Sequence, residues 1–163
     1  MKVTAQIRYP ASCEAVFAML VDSSFQERVC EATGAVRHEV TIERDGAAAV
    51  ITTRRELPTD DIPEYARGFV GSSLDVVRVD RWEPPAADGS REGTISLEVQ
   101  GAPIRLHGTL ALRPDDGGCE EAVAGELKAS VPLLGGRMEK AAEPALMSAI
   151  RKEEQVGLLH LGG

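Results

Sequence analysis

The sequence predicts an α+β fold, an antiparallel sheet covered by one long C-terminal helix, and three observations predict it. Apolar residues alternate with polar ones over a series of short segments between the N-terminus and Val131, the period of half-buried strands. The segments are separated by tight-turn signals such as Asp45-Gly46 and Asp115-Asp116-Gly117-Gly118. From Gly135 onward the apolar spacing changes to the helical period and keeps it to Leu161.

The first strand is Lys2 to Tyr9, with Val3, Ala5, Ile7 and Tyr9 on one face and Lys2, Thr4, Gln6 and Arg8 on the other. Pro10 ends it. Ser12 then caps a helix whose apolar face is Cys13, Val16, Phe17 and Leu20. Asp22-Ser23 breaks that helix. Ser24-Phe25-Gln26-Glu27 has the form of a capping box, so a second short helix is expected from Ser24 to about Ala32, with Gly34 as its stop. Val36, His38, Val40 and Ile42 share one face of the next strand. Asp45-Gly46 turns it into a partner strand from Ala47 to Leu57. The prolines and paired acids of Pro58 to Tyr65 predict a loop. Leu74 to Trp82, the Ile95-Leu97-Val99 alternation, the Ile104-Leu106-Leu110-Leu112 face and the Val123-Leu127-Ala129-Val131 face give four more strands. Strands in succession joined by short turns make an antiparallel meander with one apolar face. The last helix supplies the cover. Its stripe is read as Met138, Ala142, Ala145, Leu146, Ala149, Ile150, Val156 and Leu159, with Met147 beside it; Pro144 either kinks the helix, which the helical spacing of Met138 and Ala142 favours, or is the first helical residue after a separate turn.

With 163 residues the chain is the size of one domain, and a single domain over residues 1–163 is expected. The formal net charge is −8, and the densest basic pair is Arg54-Arg55. Phosphate neutralisation needs basic clusters, so nucleic acid and anionic membrane surfaces are disfavoured as partners. No stretch approaches the ~18 consecutive apolar residues of a membrane span. The N-terminus, Met1-Lys2-Val3-Thr4-Ala5-Gln6, lacks a signal peptide's apolar core, so a cytoplasmic location is expected. Cys13, Cys30 and Cys119 are odd in number and form no CxxC pair. They are read as small buried hydrophobes in a reduced compartment. Fourteen arginines stand against four lysines and no asparagine, the composition of a GC-rich genome.

The element order and several stretches carry a resemblance. Tyr9-Pro10-Ala11-Ser12-Cys13-Glu14-Ala15-Val16-Phe17-Ala18-Met19-Leu20-Val21-Asp22 resembles the opening of the START-like, or helix-grip, superfamily, in which a strand runs into a helix ending near an Asp. Pro132-Leu133-Leu134-Gly135-Gly136-Arg137-Met138-Glu139 resembles its approach to the last helix. The superfamily includes polyketide cyclases, birch-pollen-allergen-like proteins and lipid-transfer domains. Leu57-Pro58, Ile62-Pro63, Phe69-Val70-Gly71 and Val79-Asp80-Arg81-Trp82 are similar to a high-GC bacterial branch known only as a domain of unknown function. The resemblance implies a curved sheet wrapped around the long helix, with a cavity between them often used for an apolar ligand. It implies no reaction, because the fold hosts many functions.

Candidate site residues follow from placement. His38 shares the apolar face of its strand, where a side chain titrating near neutrality could act as general acid or base; a hydrogen-bonded structural histidine is the plainer role. His107 is expected on the outer face and His160 at the end of the last helix, where a positive charge suits the dipole. Arg44 shares the face of His38 but lies beside the hairpin turn, where exposure is expected. Arg54 and Glu56 could pair inside a cavity or lie on a solvated surface, because the strand's inward register is ambiguous between Val50 and the Ile51–Leu57 parity. Tyr65 and Phe69 could form a lid over a cavity mouth or anchor the loop to the core. Met138, Leu146, Met147 and Ile150 could line the cavity or form core. No nucleotide, hydrolase or metalloprotease motif is present, and the Asp60-Asp61 and Asp115-Asp116 pairs lack the ligand number of a cation site, so neither metal nor cofactor is expected.

Three functions stay open on this basis. One is binding of a small hydrophobic or amphipathic molecule in an apolar cavity of ~300–1,000 Å³. Another is a cyclase- or hydratase-type enzyme using His38, with Arg54 or Glu56. A third is an interaction domain with a collapsed cavity and an exposed apolar patch. A homodimer is compatible with each.

Overall fold

The structure is a computed structural model and describes residues 1–162, so Gly163, the last position of the expected domain, lies outside the described residues. Strand β1 (Lys2–Tyr9) leads into α1 (Cys13–Leu20) and α2 (Ser23–Ala32). Six strands follow: β2 (Arg37–Asp45), β3 (Ala48–Pro58), β4 (Ser73–Trp82), β5 (Arg91–Val99), β6 (Ile104–Asp115) and β7 (Gly118–Ala129). Helix α3 (Gly135–Gly162) closes the chain. The strands form one antiparallel sheet in the order β1-β7-β6-β5-β4-β3-β2, a meander from β2 to β7 with β1 added beside β7. The seven-stranded curved sheet, two short helices and long final helix are the α+β helix-grip architecture that the sequence predicts.

Local chemistry explains the element ends. The Ser12 hydroxyl accepts from the Ala15 N–H at 3.1 Å and so caps α1. The cap of α2 departs from expectation: Asp22, not Ser24, accepts from the Ser24 N–H at 2.9 Å, so the helix starts at Ser23. A carboxylate at this position also meets the positive end of the helix dipole, which a serine does not. Gly46, at φ +59°, supplies the left-handed turn between β2 and β3. The segment read as a loop contains a 3₁₀ helix at Glu64–Phe69. Helix α3 has 28 residues and runs through Pro144, spanning about 42 Å at 1.5 Å per residue.

The main core lies between the inner face of the sheet and the three helices, where Ile7, Tyr9, Val16, Phe25, Leu106, Leu110 and Leu112 are buried. The Phe17 ring stands edge-on to Trp82 at 6.4 Å and carries the Arg91 guanidinium at 3.4 Å. Leu159, read as part of the inner stripe of α3, is exposed. The positions of α3 that are buried are Met138, Glu139, Glu153 and Gly157.

The cysteines differ from the expectation of small buried hydrophobes in a reduced compartment. Cys13 and Cys119 are joined in a disulfide, and only Cys30 is a free, buried thiol. Strand register explains the meeting. Tyr9 pairs with Cys119 on β7, and the Pro10–Ser12 turn returns Cys13, the first residue of α1, over that position.

Candidate functional site

Strand pairing fixes which side chains face α3. Ile42 pairs with Ile51, Val40 with Thr53 and His38 with Arg55, so on β3 it is the Ile51-Thr53-Arg55 parity that turns inward. On β4 the inward set continues as Val76, Arg78, Asp80 and Trp82, and on β7 as Cys119, Glu121 and Val123. Five ionisable side chains therefore stand where strand alternation or the helix stripe would put apolar ones: Arg55, Arg78, Asp80 and Glu121 from the sheet, and Glu153 from α3.

Arg78 is the hub. Its Nε donates to both Asp80 oxygens at 2.9 and 3.1 Å, Nη2 donates to Asp80 Oδ2 at 2.8 Å, and Nη1 reaches across to Glu153 Oε2 at 2.9 Å. The ion pairs thus connect β4 to α3. Burial alone would lower the Arg78 guanidinium, but the Asp80 and Glu153 carboxylates reverse this and hold it well above its ordinary value. Burial raises Asp80, with Arg78 opposing the shift. Burial, reinforced by Glu153, pushes Glu121 up to about 8, so its carboxyl is chiefly neutral at pH 7. Burial and the nearby Glu121 and Glu153 charges raise Tyr9 as well.

These groups enclose a cavity of about 40 Å³ between the sheet and α3. Its charged wall is Arg55, Arg78, Glu121 and Glu153; apolar walls come from Ile7, Val76, Leu97, Leu106, Leu146 and Ile150, among others. Two of the lining residues carry buried polar atoms with no hydrogen-bond partner, Arg55 at Nε and Nη2 and Glu121 at Oε2, as do Thr53 at Oγ1 and Tyr9 at its hydroxyl elsewhere on the inner face. The expected large apolar cavity is therefore corrected to a small one with a charged wall. The physical reason is the Arg78–Glu153 bridge, which ties the helix to the sheet.

Among the residues singled out in the sequence, Leu146 and Ile150 line this cavity. Met147 packs against the main core. Met138 is buried in a second apolar cluster with Ala66 and Ala129, on which Tyr65 and Phe69 pack. The Tyr65 hydroxyl donates to the Arg137 carbonyl at 3.3 Å, and the Arg137 guanidinium stacks 4.0 Å over its ring, tying the 3₁₀ segment to the start of α3. His38 is half-buried on the inner face of β2, opposite Arg55, and does not line the cavity. Arg54 faces outward and pairs with Asp75, while Glu56 lies 3.6 Å from Arg37. Arg44 is exposed at the turn end of β2, its guanidinium 5.5 Å from the Phe17 ring. His107 is on the outer face, 3.9 Å from Glu98. His160 contacts Arg28 and the edge of Phe25. Among the described residues, no three His, Cys, Asp or Glu side chains are grouped to hold a metal ion, and no helix is long and apolar enough to cross a membrane.

Sequence reading passed over the charged cluster, although a signal for it exists. On α3, positions three and seven after Ile150 continue the stripe, and they are Glu153 and Gly157. On β4 and β7, Arg78, Asp80 and Glu121 occupy the parity of Val76, Trp82 and Val123. A charge in an apolar register position on three separate elements marks a buried polar cluster, because an unpaired buried charge is too costly to persist alone.

A family described as a protein of unknown function, DUF2505, matches residues 4–160 of the chain. No curated protein matches the sequence. Among solved structures, TTHA0849 from Thermus thermophilus is 16% identical with a TM-score of 0.62, over 98% of this chain and 99% of that one. The STAR-related lipid transfer protein of Xanthomonas axonopodis is 15% identical with a TM-score of 0.62, over 99% of this chain and 86% of that one. Human STARD10 is 10% identical with a TM-score of 0.61, over 96% of this chain and 63% of that one. At these identities the likeness is one of fold, and the fold is that of the START-like superfamily. The match over residues 4–160 makes this chain a member of the DUF2505 family.

Proposed function

We propose that this protein binds a small amphipathic molecule between the inner face of the sheet and α3. The observation that carries the reading is the mixed wall of the cavity: apolar side chains on most sides, and on one Arg55 and Glu121, which carry buried polar atoms without partners. Such a wall suits a ligand with an apolar body and one polar end. The neighbouring inner-face residues support the same reading. Leu57, Leu74, Val76, Leu97 and Val99 are only half-buried, as are Leu146, Met147 and Ile150 on the middle turns of α3. Helix α3 is thus packed tightly at Met138–Glu139 and at Glu153–Gly157 and loosely between. An apolar body larger than the cavity is accommodated by separating that middle stretch from β3–β5, where least packing is lost. Tyr65 and Phe69 flank the first turns of α3 and act in this reading as its anchor.

Native mass spectrometry of gently purified protein, followed by denaturing extraction, tests this. A stoichiometric apolar adduct is expected, and Ile150→Trp, which fills the cavity, removes it while far-ultraviolet circular dichroism is retained. Protein that carries no adduct and binds none of a graded series of fatty acids, alcohols and esters would sink the reading.

A further inference from the structure

Resting on that reading, we propose that the polar end of the ligand is a carboxylate, received by the Nε/Nη2 edge of Arg55. Arg55 is 8% exposed, and its Nη1 is used by the Thr33 hydroxyl at 3.3 Å. Nε and Nη2 are buried and without a partner. These two atoms form the edge of a guanidinium from which two parallel N–H bonds leave, spaced to meet the two oxygens of one carboxylate. Buried donors left in this state are costly, and a planar anion of matching width relieves both at once.

The surroundings favour this ligand chemistry over others. Arg78, the other cation on the cavity, is already engaged by Asp80 and Glu153, whereas Arg55 forms no ion pair among the described residues. Glu121, whose Oε2 is buried without a partner, lines the same cavity. In its neutral form this carboxyl carries an O–H, a third donor for the incoming anion. An alcohol or ester end would fill the Arg55 edge incompletely and leave its charge uncompensated. The Cys30 thiol, beside the same guanidinium, is held protonated by burial and does not supply the missing anion.

The test compares cis-parinaric acid with its methyl ester, two fluorescent probes that share one apolar tail, at neutral pH. The wild-type protein is expected to bind the acid ~10–100-fold more tightly, the range of hydrogen bonds to a charged group. Arg55→Met erases the difference between the probes, and Arg55→Lys narrows it, because an ammonium keeps the charge but lacks the fork. Equal affinity of the wild type for acid and ester overturns the carboxylate assignment and leaves ligand binding standing, and means that water alone fills the cavity beside Arg55. An acid preference that survives in both variants overturns the assignment to Arg55. Failure to bind either probe, with none of the graded series of fatty acids and esters bound either, removes the binding reading itself. The wild-type comparison decides without the variants should either fail to fold.

Discussion

Gly157 of α3 rests directly on the ring of Tyr9 in β1: a Cβ built on Gly157 would stand 2.6 Å from the Tyr9 Cε1 and 2.8 Å from its hydroxyl. No side chain fits there, so the helix backbone lies on the aromatic ring, and Glu153, one turn earlier, is set down at the cavity.

Gly157→Ala is therefore expected to destabilise the protein by ~1–3 kcal/mol through overpacking, although alanine is the better helix former. Gly136, in the first turn of α3, has nothing within 4 Å of a built Cβ, and Gly136→Ala is expected to be neutral or stabilising. Urea unfolding of the two variants reads the difference; equal effects would mean that α3 does not lie on Tyr9.

Glu121 makes stability depend on pH. It is packed among Tyr9 of β1, Arg78 and Asp80 of β4, and Glu153 of α3. Its folded pKa of about 8 lies above the ordinary 4.5, so between these values the folded state keeps a proton that the unfolded state gives up. The corresponding stability is present below the ordinary value and is lost as pH rises through about 8. Glu121→Gln is neutral at all pH, so its advantage over the wild type should grow from about pH 5 to about pH 9, by an amount of the order of a few kcal/mol. Parallel melting curves across that range would refute the assignment.

Removing the hub should expose the remaining charges. Arg78→Met leaves Asp80 and Glu153 buried without their cation and is expected to cost ~3–5 kcal/mol. Neutralising them as well, with Asp80→Asn and Glu153→Gln, should recover a large part of that loss. Purely additive urea-unfolding energies would show that the three groups do not act together.

The cysteines give a direct count. Protein unfolded without reductant should titrate one thiol per chain, that of Cys30, and three after reduction. The bridge spans 106 residues, for which loop-closure entropy predicts a loss of ~4–5 kcal/mol on reduction. Three thiols before reduction would contradict the Cys13–Cys119 bond.

Element order, the faces of most strands, the Asp45-Gly46 hairpin, the Ser12 cap and the long helix through Pro144 were legible in the sequence. The periods that mark them are local: two residues for a strand, 3.6 for a helix, and one turn for a cap. The place of Leu146 and Ile150 on the inner stripe of the last helix was legible for the same reason. The inward parity of β3 was not legible, because Val50 and Ile51 both make an apolar face. Only the pairing of Ile42 with Ile51 turned Arg55 inward and Arg54 outward. The meeting of Arg55, Arg78, Asp80, Glu121 and Glu153 is likewise a tertiary product, drawn from β3, β4, β7 and α3, as is the bond between Cys13 and Cys119. Local sequence determines which face of its own element a side chain takes; which faces meet is set by strand register and helix docking, and those depend on burial summed over the whole chain.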